Sequence, residues 1–293
     1  MKLFDFLKPG ALSSPDPNVP VPSIPRYTTQ YGLQIPFVEY NTFPYLTDLS
    51  PRIVRQDLNT YIPFLPYTND SFVEAMHAAR RDIIFITPYV YTHTVTDDMI
   101  SMPPKFKTPA GLAAYMETIA AKYAGRVKGY EITNEPNAPA GSNGDSRSYT
   151  PAEYMQFLVP TSTAIRKQDP TVSIIGACTS GMALNWHREL AALGAAKYVN
   201  FISFHPYGES VRSISNSVLS LQQIWGDKPL MCTEYGDADA AKAIAIHKAL
   251  SGLVHTSILF NLRGDPYGLI DSSGAKRTSY AEAKALFARN GAA

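Results

Sequence analysis

Eight short apolar runs, nearly all of them followed by a helical pattern, recur between residues 31 and 288 of this 293-residue chain. The runs are 33–37, 53–55, 82–89, 127–133, 172–177, 201–204, 229–233 and 255–259. Helices are expected over 70–81, 110–124, 151–167, 183–193, 211–225, 238–250 and 280–288. Two of these starts carry explicit signals. Thr108-Pro109 places a capping side chain before a proline at the first helical position, and Thr150-Pro151-Ala152-Glu153 has capping-box spacing. Strict alternation of strand and helix implies a parallel sheet with right-handed crossovers. Eight such units suit a closed (β/α)8 TIM barrel, which takes about 250 residues. The open doubly wound alternative calls for a glycine-rich turn after the first strand, yet Gly32 stands alone there and no G-x-G-x-x-G occurs.

Residues 1–26 read differently. Pro9, Pro15, Pro17, Pro20, Pro22 and Pro25 favour extended backbone, so this stretch is expected to be an arm ahead of a single catalytic-size domain at 27–293. The start, with Asp5 interrupting its apolar residues and Lys8-Pro9 ending them, lacks the pattern of a secretory signal. A cytoplasmic location is the default expectation. Cys178 and Cys232 match no metal spacing and are expected as two reduced, buried thiols, with one disulfide as the alternative.

Charge narrows the class of partner. Lys and Arg total 26 against 25 Asp and Glu, a formal net charge of +1. No basic surplus is available to release counterions from a phosphate backbone, so nucleic acid is not expected as a partner. At 45% hydrophobic and 17% charged the chain can bury a core and is not disordered. No apolar run approaches the roughly 18 residues of a membrane span; the best is broken by Pro88.

In a barrel of this kind the active site lies at the carboxyl ends of the strands. The fourth strand ends Glu131-Ile132-Thr133-Asn134-Glu135-Pro136, the sixth His205-Pro206-Tyr207 and the seventh Thr233-Glu234-Tyr235-Gly236. Two carboxylates thus face one mouth, which is the equipment for cleaving a glycosidic bond: one protonates the leaving oxygen while the other attacks, or activates water at, the anomeric carbon.

Asn134-Glu135-Pro136, His205-Pro206-Tyr207 and Thr233-Glu234-Tyr235-Gly236, in this order, resemble the signatures of the clan A glycoside hydrolases. The likeness covers nearly the whole chain after residue 30 and is strongest to families 39 and 5. It implies a retaining (β/α)8 enzyme acting on β-glycosidic bonds of a poly- or oligosaccharide, with Glu135 as acid/base and Glu234 as nucleophile. It further implies that Asn134 bonds the sugar 2-hydroxyl, that Tyr207 hydrogen-bonds the nucleophile with His205 beside it in the cleft, and that Arg55 lies beneath the nucleophile. Glu131 is read as structural, paired with Arg55 inside the barrel. Tyr91 and His93, after the third strand, are candidate sugar contacts; Trp186 and Trp225 are read as packing.

One departure concerns the end of the eighth strand, where the clan commonly carries a tryptophan floor. Here the sequence is Leu259-Phe260-Asn261-Leu262-Arg263, so Phe260 and Asn261 are assigned to substrate contact, and Arg263 raises the option of an acidic glycan. The minimal barrel favours endo action. An exo-acting glycosidase and a non-catalytic sugar-binding barrel are the alternatives. No metal or cofactor is implied, and the protein is expected to be a monomer whose partner is carbohydrate.

Overall fold

Eight parallel strands pair in chain order and the last closes on the first, giving a barrel in the computed structural model. The structure describes residues 26–35, 42–58, 69–88, 108–139, 148–264 and 266–289. The strands are β1 (Gln30–Ile35), β2 (Ile53–Asp57), β3 (Asp82–Ile86), β4 (Gly129–Glu131), β5 (Ser173–Ser180), β6 (Phe201–His205), β7 (Leu230–Tyr235) and β8 (Thr256–Leu259). Each is followed by a helix: α1 (Thr42–Leu49), α2 (Asn69–Ala78), α3 (Pro109–Lys122), α4 (Pro151–Gln168), α5 (Leu184–Ala192), α6 (Val211–Trp225), α7 (Ala240–Leu250) and α8 (Thr278–Ala288). This is the (β/α)8 architecture expected from the alternation. The proline-rich segment up to Pro25 lies outside the described residues.

Local chemistry fixes the helix starts. The Thr108 hydroxyl accepts from the Gly111 amide at 3.1 Å, and Thr150 and Glu153 cap each other reciprocally, so donors that the first turn would leave unpaired are satisfied. The α1 helix was not expected. Its eight residues, TFPYLTDL, give only one apolar repeat and carry Pro44 in the first turn, too short a pattern for periodicity to register.

Strand alternation sorts the barrel interior into layers. Ile53, Ile84, Ile175, Met231 and Ile258 pack together as an apolar plug inside the barrel. The next inward positions toward the carboxyl ends are polar: Gln34, Arg55, Glu131, Ser203 and Thr233 are all buried. Outside the strands a continuous apolar shell joins sheet and helices, including Phe72, Phe85, Tyr130, Leu158, Ile214 and Trp225. The plug therefore seals the barrel below a floor of hydrogen-bonding groups.

The β5 strand departs from regularity. Its pairing with β6 slips between Gly176 and Thr179, and Ala177 and Cys178 have φ of 78° and 44°. This bulge inserts an extra residue and turns the Cys178 thiol toward the polar layer. Both cysteines are free and buried. Trp225 is buried, donating to His187 Nδ1 at 3.0 Å, and Trp186 packs against the core while donating to the Tyr149 carbonyl at 3.1 Å. Among the described residues no helix is long and apolar enough to cross a membrane.

Candidate active site

The carboxyl end of β4 runs into a tight irregular turn. Thr133 and Glu135 adopt φ of 65° and 45°, left-handed values that cost roughly 1–3 kcal/mol in a residue other than glycine. Neighbouring strands hold the turn in place. The Thr133 amide donates to Thr87 Oγ1 at 2.9 Å, and the Glu135 amide donates to the Cys178 carbonyl at 2.8 Å. Asn137 closes the arrangement by donating to the Ser180 carbonyl at 2.9 Å and accepting from the Ser180 amide at 2.8 Å. The β5 bulge is thus the dock against which Asn134 and Glu135 are positioned.

Arg55, fully buried on β2, organises the floor. Its Nε donates to Glu131 Oε2 at 2.6 Å, Nη1 to Glu234 Oε1 at 2.5 Å and to Gln34 Oε1 at 2.9 Å, and Nη2 to Asn134 Oδ1 at 2.9 Å. Burial alone would weaken the guanidinium's hold on its proton, but Glu131 and Glu234 outweigh it and keep the group charged. Burial likewise opposes ionisation of Glu131, yet Arg55 and His205 hold its carboxyl below the usual range. Asn134 Oδ1 also accepts from the Cys178 thiol at 3.4 Å. With its oxygen committed in this way, the side-chain amide is left to donate.

His205 links the two sides of the floor. Thr233 Oγ1 donates to Glu131 Oε1 at 2.7 Å, so at 3.1 Å it accepts from His205 Nε2. The other ring nitrogen, Nδ1, lies 2.8 Å from Glu135 Oε1 and 3.8 Å from Glu234 Oε2. Burial disfavours the imidazolium, but Glu234 and Glu135 raise its pKa well above the ordinary histidine value. Tyr207 Oη donates to Glu234 Oε2 at 3.3 Å, and burial together with Glu234 keeps that phenol protonated. An oxygen of Glu135, an oxygen of Glu234 and a His205 nitrogen all lie within 4.8 Å of one another.

An aromatic rim borders the Glu234 side. Tyr267, 38% exposed, sits 6.4 Å from Tyr207 and 6.2 Å from Phe260 between ring centroids. Gly236 is required beneath that rim, because a Cβ there would collide with the Phe260 carbonyl oxygen.

The structure brings Arg55, Asn134, Glu135, His205, Tyr207 and Glu234 into one cluster, and sets Glu131 against Arg55 as the sequence suggested. Tyr91 and His93 lie outside the described residues. Phe260 joins the rim, whereas Asn261 is 6% exposed and its Oδ1 has no hydrogen-bond partner among the described residues. Arg263 donates to the Ser272 carbonyl at 3.1 Å, a contact within its own loop. Sequence reasoning overlooked Cys178, Thr233, Tyr267 and Asp57. Asp57 had a usable signal, since it follows Arg55 by two on the same strand and so shares its inward face.

Among the described residues two groups have the composition of metal ligand sets: Glu131, Cys178 and His205, and Glu135, His205 and Glu234. Arg55 already supplies a cation to both, bonding Glu131 in the first and Glu234 in the second. Carboxylates arranged around a guanidinium and a charged histidine are suited to proton transfer and nucleophilic attack.

Residues 129–256 match the family model described as the glycosyl hydrolase catalytic core, a stretch that holds both Glu135 and Glu234. No curated protein matches the sequence. Among solved structures, a monomeric β-xylosidase from Caulobacter crescentus CB15 is 16% identical with a TM-score of 0.69, over 90% of this chain and 69% of that one. The GH39 enzyme from Xanthomonas axonopodis pv. citri is 19% identical with a TM-score of 0.66, over 89% of this chain and 66% of that one. A GH10 endoxylanase from a sugarcane soil metagenome is 14% identical with a TM-score of 0.58, over 88% of this chain and 97% of that one. At such identities the likeness is one of fold, and the chain spans about two thirds of the length of the first two. The chain thus folds as a (β/α)8 barrel whose residues 129–256 are similar to a glycosyl hydrolase catalytic core.

Proposed function

We propose that the protein hydrolyses β-glycosidic bonds of a poly- or oligosaccharide by double displacement, with net retention at the anomeric carbon. Glu234, paired with Arg55, attacks that carbon to form a glycosyl-enzyme. Glu135 delivers a proton to the leaving oxygen, then takes one from the incoming water. The side-chain amide of Asn134 is placed to donate to a hydroxyl of the bound sugar. Tyr207 orients the Glu234 carboxylate that must remain nucleophilic.

The observation that carries this reading is the separation of the two carboxyl groups. Oxygens within 4.8 Å of each other suit the roughly 5–5.5 Å of retaining enzymes and leave no room for the interposed water of inverting ones, which stand about 6.5–9.5 Å apart. The mode of action we propose is endo cleavage, and xylan is the first polymer to try given the solved structures of like fold. Proton NMR of the first-formed product is the test. The β-anomer must appear before mutarotation, and an initial α-anomer would overturn the mechanism. Early release of a ladder of oligomers supports endo action, and monosaccharide alone overturns it.

A further inference from the structure

Asp57 closes the inward face of β2, two residues beyond Arg55 and one layer nearer the mouth. It is half-buried, and among the described residues no side chain hydrogen-bonds its carboxyl, whose contact is its own backbone. Its charged neighbours all have partners: Arg55 has five, Glu131 has Arg55 and Thr233, and Glu234 has Arg55 and Tyr207. The electrostatic neighbours of Asp57 are Arg55, whose donors are engaged elsewhere, and the carboxylates Glu234 and Glu131. A partly desolvated acid without a donor is costly to keep in a folded protein. Nothing in the double displacement uses it.

We propose that Asp57 is a substrate-binding carboxylate on the β2 side of the cleft, accepting hydrogen bonds from neighbouring hydroxyls of the sugar held against Glu234 and selecting neutral sugars over uronates. A carboxylate offers two oxygens and accepts from two donors at once, which suits a vicinal hydroxyl pair. It also adds negative charge beside Glu131, Glu135 and Glu234, while Arg55 is fully engaged and Arg263 turns to the Ser272 carbonyl. A uronate carboxylate would meet like charge at this subsite. The proposal rests on the glycosidase reading for the placement of the sugar, and it sets aside the acidic glycan that Arg263 suggested.

Direct binding separates this proposal from the catalytic one. Calorimetric titrations use xylotriose, cellotriose, mannotriose and trigalacturonate with a Glu135→Gln protein, in which turnover is suppressed, and with the same protein carrying Asp57→Ala or Asp57→Asn. Asp57→Ala is expected to weaken binding of the preferred neutral trisaccharide at least tenfold, Asp57→Asn by less, and the parent is expected to prefer that sugar to trigalacturonate. Thermal melts of the same variants should show no loss of folding; if the alanine variant does not fold, the asparagine variant decides. Affinity unchanged within twofold, a preference for trigalacturonate, or no binding of any of the four by the parent overturns the proposal. If wild-type protein cleaves none of these sugars yet binds one in an Asp57-dependent way, the hydrolase reading fails and this one stands.

Discussion

His205 Nδ1 sits 2.8 Å from Glu135 Oε1, and its Nε2 is already committed to Thr233 Oγ1 at 3.1 Å. Because Thr233 spends its own proton on Glu131, His205 must donate from Nε2, and the proton between Nδ1 and Glu135 is shared by that pair. One arrangement has an imidazolium facing a carboxylate; the other has a neutral ring facing a carboxylic acid. Both keep a proton beside the group proposed to protonate the leaving oxygen. The buried Glu131 thereby acts on the cleft from beneath, through Thr233 and His205.

Substituting Glu135 by alanine removes the proposed proton donor and should lower kcat by about 10²–10⁴ on substrates with poor leaving groups. The loss should shrink sharply with a dinitrophenyl glycoside, whose leaving group needs no proton. Glu234→Gln, by contrast, should abolish turnover of both. Steady-state kinetics on matched alkyl and dinitrophenyl substrates distinguish the two positions, and equal losses on both in the Glu135 variant would contradict its role as acid.

The charge on His205 has a consequence for stability. Its folded pKa stands well above the ordinary histidine value of 6.5, so the stabilisation is fully present below about pH 6.5 and is lost as pH rises through the higher folded value. The wild-type melting temperature should therefore fall on the alkaline side of neutrality, and His205→Gln should flatten that fall. Melts at steps between pH 6 and 10 give the answer; parallel curves would contradict a charged His205.

Asp57 predicts the opposite kind of variant. Burial first, then Glu234 and Glu131, push its carboxyl up to about 6 against the pull of Arg55. A raised acid stabilises the fold below its unfolded value near 3.8 and loses that contribution as pH climbs through 6. Asp57→Asn should consequently stabilise the protein at pH 7, by at most about 2–3 kcal/mol, and have little effect at pH 4. Urea unfolding at the two pH values measures the difference.

Arg55→Met would leave Glu131 and Glu234 in the barrel without a countercharge. Breaking a buried pair from one side costs about 3–5 kcal/mol, and here one arginine serves two acids. Arg55→Lys should not restore activity, because an ammonium cannot reach Glu131, Glu234, Gln34 and Asn134 from one planar fork. Denaturant midpoints and kcat for both variants test this; near-wild-type turnover in the lysine form would contradict it.

Much of this was legible from residue order. Short apolar runs, helical patterns and capping signals located the strands and most helices, because each barrel unit repeats the same local chemistry. The two acids and Tyr207 follow from their places at strand ends. What sequence could not supply was geometry created by irregularity. The β5 slip that brings Cys178 to Asn134 has no motif, as Ala177-Cys178 is an ordinary apolar pair. Thr233 is likewise unremarkable until its hydroxyl is seen between Glu131 and His205. Tyr267 lies in the loop after β8, one of 18 tyrosines, with nothing in its neighbours to distinguish platform from packing.

The bulge in β5 separates two properties that usually travel together. The Glu135 amide reaches the Cys178 carbonyl only because the strand carries an extra residue there. Deleting that residue would let β5 pair evenly with β6. The acid would then lose its anchor while the core stayed packed. Selection for thermal resilience would tend to straighten the strand, and selection for turnover alone keeps it bent. Substitutions at 176–179 are thus the place where a better-folded protein and a worse catalyst should be found in the same molecule.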